Sequence, residues 1–334
     1  MRYVIHGAGG VGGTIGAALQ LRGHDVHFIA RGAHLERMRS NGLRFVTPTG
    51  ERTLAVQAHA QPADIAIAND DVVVLAMKGQ HSHAALTALR AATTAEPAVV
   101  CAQNGVENER MAARVFARVY GMEVFMPATH LEPGVVEVHS ERVYGLLDTG
   151  RYPSGSDDCA ERIAAHLTTA GFASEARTDI MAWKYRKLVR NLGNGLQVLV
   201  GEGAASRDIS RLLRGEAAAA YEAAGITPVP DDDYRVRTDL LDRGLNSNAR
   251  RRGGSTLQSV LRGADGVETD YLNGEIGLLG RLHGVPTPVN AFIQRLTARH
   301  ARSGAAPGSL DGAALLREAR DLVLAALDAA GTGT

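Results

Sequence analysis

RYVIHGAGGVGGTIGAALQLRG, residues 2–23, decides the fold. Arg2 to Ile5 is a short apolar run of strand character, and TIGAALQLRG has helical periodicity closed by a terminal glycine at Gly23. Between them Gly7, Gly9 and Gly12 match the spacing G-x-G-x-x-G. One glycine allows the tight turn, one lets backbone approach a pyrophosphate, and one lets the helix pack on the strand. The match gains weight from its context of strand, turn, helix and then a second apolar run, DVHFIA (Asp25 to Ala30). The alternative, a merely glycine-rich turn, lacks that context. Gly7, Gly9, Gly10, Val11 and Gly12 are therefore candidate nucleotide-binding residues.

The second strand leads into FIARGAHLERM. An acidic residue at its end would accept from a ribose 2′-OH, whereas a basic one accommodates a 2′-phosphate. Arg31 stands there, so NADPH is expected over NADH; the alternative is a solvated surface arginine. Further on, Val72 to Ala76 form the unbroken apolar run of a central parallel strand, with Lys78 just past its end as a candidate for cofactor phosphates. AVVCAQNGV repeats the pattern, with strand Ala98 to Ala102 followed by Gln103, Asn104 and Gly105. Gln103 and Asn104 are candidates for the cofactor, and Asn104 is also placed to face nicotinamide or substrate. Asn-Gly is equally a plain turn signal. These strands and helices indicate an α/β Rossmann-type N-terminal domain. After Gly121 the short runs GMEVFMPATH, GVVEVHS and RVYGLLD read as antiparallel edge strands continuing the sheet, followed by a polar loop, Thr149 to Asp158, and a helix from Cys159 to Ala170.

From Asp179 onward helical periodicity prevails, over Trp183 to Val200, Ser206 to Ala224, Asp232 to Leu241, Val267 to Leu282, Val289 to His300 and Leu310 to Ala329. The expected division is thus 1–178, a nucleotide-binding domain, and 179–334, an all-α domain for substrate binding or dimerisation, with the active site between them. In WKYRKLVRNLGN, a single helix would put Lys187, Asn191 and Asn194 on one face. An ammonium and two amides beside packed leucines need partners.

The length of 334 residues fits about two domains of roughly 150 residues each, and the 45% hydrophobic content is ample for their cores. Lys plus Arg and Asp plus Glu are both 36, so no global field favours nucleic acid or an anionic membrane. Any anion site must be local. Cys101 and Cys159 lack zinc or disulfide-framework spacing, in keeping with a reducing cytoplasm and no metal centre. The strand at residues 2–5 leaves no room for a signal peptide before the glycine turn, and no run reaches the roughly 18 apolar residues of a membrane span. A cytoplasmic location is expected.

The ordered series GAGGVGG, the arginine after the second strand, MKGQH, QNG, LEPGVV, DIMAWKYRKLVRN, GGSTLQS and VETDYLNGEIGLLGRLHGVPTPVN resembles the ketopantoate reductases (2-dehydropantoate 2-reductases) across nearly the whole chain. The resemblance implies a C-terminal domain like that of 6-phosphogluconate dehydrogenase, NADPH as cofactor, and reduction of a 2-keto acid to a 2-hydroxy acid, with 2-dehydropantoate to pantoate in pantothenate biosynthesis first. It implies Lys187 as catalytic lysine, Glu268 as the acid near the reacting oxygen, and Asn191, Asn194, Ser255 and Asn104 as substrate-binding residues. A positioned ammonium could stabilise the developing alkoxide and donate a proton. The bland alternative for Lys187 and Glu268 is a structural ion pair.

The sequence departs from the family pattern at position 195, at Arg250 to Arg252, and between Gln258 and Glu268, where the spacing is one residue longer than in some members. Position 195, where the family often carries a second asparagine, is glycine, with the amide one residue earlier at Asn194. Lys184 lies on nearly the same helical face as Lys187 and rivals it for the acid. Arg250, Arg251 and Arg252 stand where an asparagine is usual, either to bind a second carboxylate or as solvated surface. Alternative readings are a reductase of another branched or larger keto acid, including other D-2-hydroxyacid dehydrogenases, and a catalytically silent NADP-binding sensor. Helical domains of this kind can form homodimers, though no decisive apolar stripe marks one.

Overall fold

Eleven strands order the first half of the computed structural model: β1 (Tyr3–His6), β2 (Val26–Ile29), β3 (Leu43–Thr47), β4 (Gly50–Leu54), β5 (Gln57–His59), β6 (Val72–Leu75), β7 (Ala98–Cys101), β8 (Val119–Phe125), β9 (Ala128–Thr129), β10 (Val135–Val138) and β11 (Leu146–Arg151). The described residues are 1–242, 256–257, 260 and 266–331. Helices α1 (Gly10–Leu21), α2 (Gly32–Asn41), α3 (Ser82–Ala92), α4 (Glu107–Ala113) and α5 (Asp158–Thr169) connect or follow the strands. A seven-stranded sheet has the order β11-β8-β7-β6-β1-β2-β5. The order reverses at β1, which pairs in parallel with β2 on one side and β6 on the other. That is the switch point at which open α/β sheets bind ligands.

Both faces of the central strands are covered. Tyr3, Ile5, Val72, Val74, Ala98 and Val100 enter one apolar core, and the alternate residues Val4, Val73, Leu75, Val99 and Cys101 enter the other. A period of two with apolar side chains on both faces produces the unbroken hydrophobic runs seen in the sequence.

The region after Gly121 differs from the expected antiparallel continuation. β8 runs parallel to β7, because the α4 crossover returns the chain in the same direction, and within the seven-stranded sheet only β11 is antiparallel. β9 and β10 leave for a second, four-stranded sheet of order β4-β3-β10-β9. The Thr149–Asp158 segment is likewise not all loop, since β11 continues to Arg151.

The chain forms two compact units, Met1–Lys184 with Val229–Arg250, and Tyr185–Pro228 with Arg251–Thr334. Where the sequence pattern puts a boundary at 178, this division falls inside helix α6 (Ile180–Asn191). α9 (Asp231–Asp242) returns to the first unit, where Arg237 makes a bidentate pair with the fully buried Asp148 of β11, at 3.0 and 2.5 Å. Arg177 bonds the same carboxylate at 3.0 Å and lies over the Trp183 ring. Tyr234 donates to Glu123 at 2.8 Å.

The second unit contains α7 (Asn194–Leu199), α8 (Ala204–Ala223), α10 (Asn273–His283), α11 (Pro288–Ser303) and α12 (Gly312–Gly331). The single helix expected over 183–200 is interrupted at Leu192–Gly193. The Leu192 carbonyl accepts from Asn273 Nδ2 at 3.1 Å, which satisfies a helix-end acceptor with a side chain. Asn273 also donates to Asn290, whose amide donates to Leu213 O and Glu216. Glu216 caps α11 by accepting from the Val289 and Asn290 amides at 2.8 and 2.9 Å, and its burial pushes the carboxyl above the usual range. The helix expected from Val267 starts as a 3-10 turn, Glu268–Tyr271, before α10.

Gly7 adopts φ +103°, the region that favours glycine. A Cβ on Gly12 would overlap the Gly7 carbonyl oxygen and lie 2.9 Å from Ala76 Cβ. His34 of α2 locks the turn from outside. The Gly134 amide can only donate, so Nδ1 accepts its 2.8 Å bond, and Nε2–H donates to Ala8 O at 2.8 Å. Burial, and next the adjacent His130, hold this imidazole down to about 4.

Gly12→Ala is expected to lower the unfolding free energy by about 3 kcal/mol in urea titrations. Gly9→Ala should leave it unchanged, since a Cβ there meets nothing within 4 Å. For His34, the unfolded ring titrates near 6.5 and the native one at about 4, so the unfolded chain binds more protons between those values. Stability is fully present above about pH 6.5 and declines as pH falls through about 4. His34→Gln should flatten that slope by up to about 1.4 kcal/mol per pH unit. An unchanged slope would mean that the native ring already carries the proton.

Candidate active site

In the first unit, the expected nucleotide residues lie at the carboxyl ends of four neighbouring parallel strands. β7, β6, β1 and β2 are adjacent in that order. Their ends carry Asn104, Lys78, the glycine turn and Arg31, which therefore form a row along one sheet edge, with strands about 4.8 Å apart.

At the centre of the row, Gly9 is the N-cap of α1, with no side-chain cap and no acidic residue in the first turn. The outer side of Gly9 is open. An uncapped helix start with no competing carboxylate suits a pyrophosphate. The other glycines face inward: a Cβ on Gly10 would meet Ala128 O at 3.3 Å, and Gly12 is buried. Val11 packs partly against the core. Arg31 is exposed as the N-cap of α2, and Lys78 is partly exposed as the N-cap of a 3-10 turn.

His6, the last residue of β1, was not singled out by the sequence. Its Nδ1 is buried without a hydrogen-bond partner, and burial, then the nearby Arg31 charge, holds the ring down to about 4. A lone histidine next to a glycine turn carries no sequence signal.

Gln103 points inward. Its amide donates to Ser82 Oγ at 2.6 Å and to Met77 Sδ at 3.5 Å. Ser82 donates to Asn108 Oδ1, and Asn108 Nδ2 donates to the Asn104 carbonyl at 3.0 Å. Gln103 is 5% exposed, so it braces the tip, and the partly exposed Asn104 is the side chain presented there.

Lys184 sits in this unit too. Its ammonium is 2.6 Å from Glu109 Oε1 and donates to the carbonyls of Cys101, Gln103 and Met122 at 3.3, 3.0 and 3.2 Å. The carboxylate that Lys184 meets is Glu109. Burial pushes Glu109 up, against the pull of Lys184, and burial raises the Cys101 thiol well above its ordinary value.

In the second unit, Lys187 and Asn191 stand one turn apart on α6, and Lys187 is buried. Glu268 is also buried, at the start of its 3-10 turn. Asn194 departs from the expected common face: it opens α7, past the interruption, so the helical spacing from Lys187 no longer applies. The glycine at 195 has a packing reason, since a Cβ there would lie 2.5 Å from Thr297 Oγ1. Ser255 and the arginines 250, 251 and 252 lie outside the described residues. Among the described residues there is no group of three His, Cys, Asp or Glu that could hold a metal ion, and no helix long and apolar enough to cross a membrane.

Comparison with known proteins places the chain in a family. Residues 3–153 match the family described as "Ketopantoate reductase PanE/ApbA", and residues 179–301 match its C-terminal counterpart. The 2-dehydropantoate 2-reductase of Mesorhizobium japonicum is 30% identical, over 89% of this chain and 98% of its own length. A crystal structure of a PanE/ApbA family ketopantoate reductase from Ralstonia eutropha JMP134 is 26% identical, with a TM-score of 0.77, covering 91% of this chain and 99% of its own. D-mandelate dehydrogenase, solved with NADH and anilino(oxo)acetate, has the same TM-score of 0.77 at 20% identity, over 91% of this chain and 99% of its own, which is likeness of fold. With both halves of the family matched in order, this chain belongs to the ketopantoate reductases, oxidoreductases acting on CH–OH groups.

Proposed function

We propose that this protein reduces a 2-keto acid to the 2-hydroxy acid with NADPH, with 2-dehydropantoate as substrate and pantoate as product. The observation that carries the reading is the buried Lys187 ammonium with Asn191 one turn along, in a chain whose other unit lines up Asn104, Lys78, an open glycine turn and Arg31 on one sheet edge. That order suits the successive parts of a phosphorylated dinucleotide: ring, phosphates and 2′-phosphate. The uncapped α1 start fits the pyrophosphate, and Arg31, with no acid at its position, fits the 2′-phosphate.

NADPH, when bound, supplies the hydride that C2 of the keto acid receives. The protein's own part is electrostatic and protonic. Lys187 stabilises negative charge growing on the C2 oxygen and passes it a proton, then regains one from solvent. Asn191 and Asn104 donate to substrate oxygens, as do Asn194 and Ser255 in this reading, and Glu268 holds the ammonium or the product hydroxyl. Folding the amine into a buried position strengthens its effect on a developing alkoxide, because the local dielectric is lower than in water.

Lys187→Ala is expected to lower kcat by about 10³-fold or more while NADPH still binds. Undiminished turnover would remove the lysine from the mechanism. Arg31→Ala should weaken NADPH by about tenfold and leave NADH nearly unchanged, as judged by fluorescence titration. Equal losses would place Arg31 away from the 2′-phosphate. A panel of ketopantoate, other branched 2-keto acids and an aryl 2-keto acid, ranked by kcat/KM, tests the substrate. Low turnover of ketopantoate beside high turnover of another member would reassign it, and nucleotide binding with no turnover at all would favour a sensor.

A further inference from the structure

The Lys184–Glu109 pair is costly to build. Lys184 is 3% exposed and Glu109 fully buried, and neither has a place in the chemistry just described. Removing both charges in favour of apolar side chains is often neutral for a fold, so stability alone does not account for such a pair. Its hydrogen bonds point to another role. The carbonyls of Cys101 and Gln103 lie at the carboxyl end of β7, where the strand ladder gives out, and Met122 O belongs to the neighbouring β8. A single ammonium, held by Glu109 at 2.6 Å, gathers these three oxygens.

The Gln103 carbonyl belongs to the peptide that joins Gln103 to Asn104. That peptide is planar, and in its trans form the Asn104 N–H points opposite to the carbonyl. Anchoring Gln103 O on Lys184 at 3.0 Å therefore orients the peptide plane before Asn104. Asn108 Nδ2, bonding Asn104 O at 3.0 Å, orients the plane after it. With both planes held, the two backbone angles of Asn104 are set, and so is the direction in which its side chain leaves the tip.

We propose that Lys184 is a positioning residue, which with Glu109 as its clamp fixes the Gln103–Asn104 peptide and so aims Asn104 at the ring half of the bound nucleotide. This rests on the reading of the chain as an NADPH-dependent reductase. Lys184 touches neither nucleotide nor substrate. Its effect is confined to the ring end of the row, whereas the glycine turn and Arg31 bind the rest independently of it.

The test is Lys184→Met combined with Glu109→Leu, which removes the pair without leaving a lone buried charge, beside Lys184→Gln with Glu109→Gln, which restores amide donors. Each is compared with the parent in melting temperature, in affinity for NADPH and for the ring-less 2′-phospho-ADP-ribose, and in kcat. The apolar pair should bind the ring-less nucleotide as the parent does, bind NADPH about tenfold more weakly, and turn over about 10²-fold more slowly, as expected for a misplaced ligand group. The amide pair should recover part of both losses. Should the apolar pair fold poorly, the amide pair alone is read for a smaller change in the same direction in the ratio of the two affinities. Parent-like ratios and kcat in a folded variant would overturn the proposal and leave the pair a structural one. A parent protein that neither binds NADPH nor reduces any 2-keto acid would instead defeat the functional reading, and the proposal with it.

Discussion

The close approach of α1 to the sheet at Gly7 and Gly12 is the constraint on which the first unit depends. Where the carbonyl of one glycine fills the space that a side chain on the other would take, the helix can start directly over the end of β1. That start leaves the first amides of α1 uncapped and puts the turn at the place where strand order reverses. Gly16 continues the fit, since a Cβ there would run into the Phe28 ring. Every other group of the candidate row takes its position from strands tied through the sheet to β1. Lys78 follows β6, which pairs with β1, and Asn104 follows β7, which pairs with β6.

Much of the rest is polar bracing inside apolar surroundings. Gln103, Ser82 and Asn108 form a chain of side-chain hydrogen bonds behind the tip of β7, and in the second unit Asn273, Asn290 and Glu216 do the same behind the interruption of α6. Buried amides demand fixed partners, so such networks define the local backbone more narrowly than apolar packing does. In both cases the backbone they define adjoins a residue assigned to the chemistry, Asn104 in one unit and Asn191 in the other.

The parallel strands are legible in the sequence because burial on both faces writes itself as an unbroken apolar run, as in Val72 to Leu75. The β3–β4 hairpin escapes the same reading. β4, GERTL, is exposed along nearly all its length and has no face to advertise. Direction is also hidden: nothing in GMEVFMPATH says that β8 runs parallel and that β9 leaves for another sheet. The glycines at 193 and 195 do announce a disturbed helix, yet the partner that ends it, Asn273, is remote in sequence. The residue types of the candidate site are readable from motif and spacing. Their order along the sheet edge needs the topology, and the roles of Lys184 and His34, like the burial of His6 Nδ1, need three-dimensional neighbours that one sequence does not display.

The return of α9 to the first unit has a consequence for how the protein can be taken apart. A fragment ending near residue 178 would lack Lys184 and Arg237, leaving Glu109 sealed in the interior without its counter-ion and Asp148 with one of its two guanidinium partners. The nucleotide-binding half is thus completed by chain synthesised after the first part of the helical half, Tyr185–Pro228. It is an interlaced architecture, and neither proteolytic nicking at one loop nor gene-level shuffling at one junction can release an intact half.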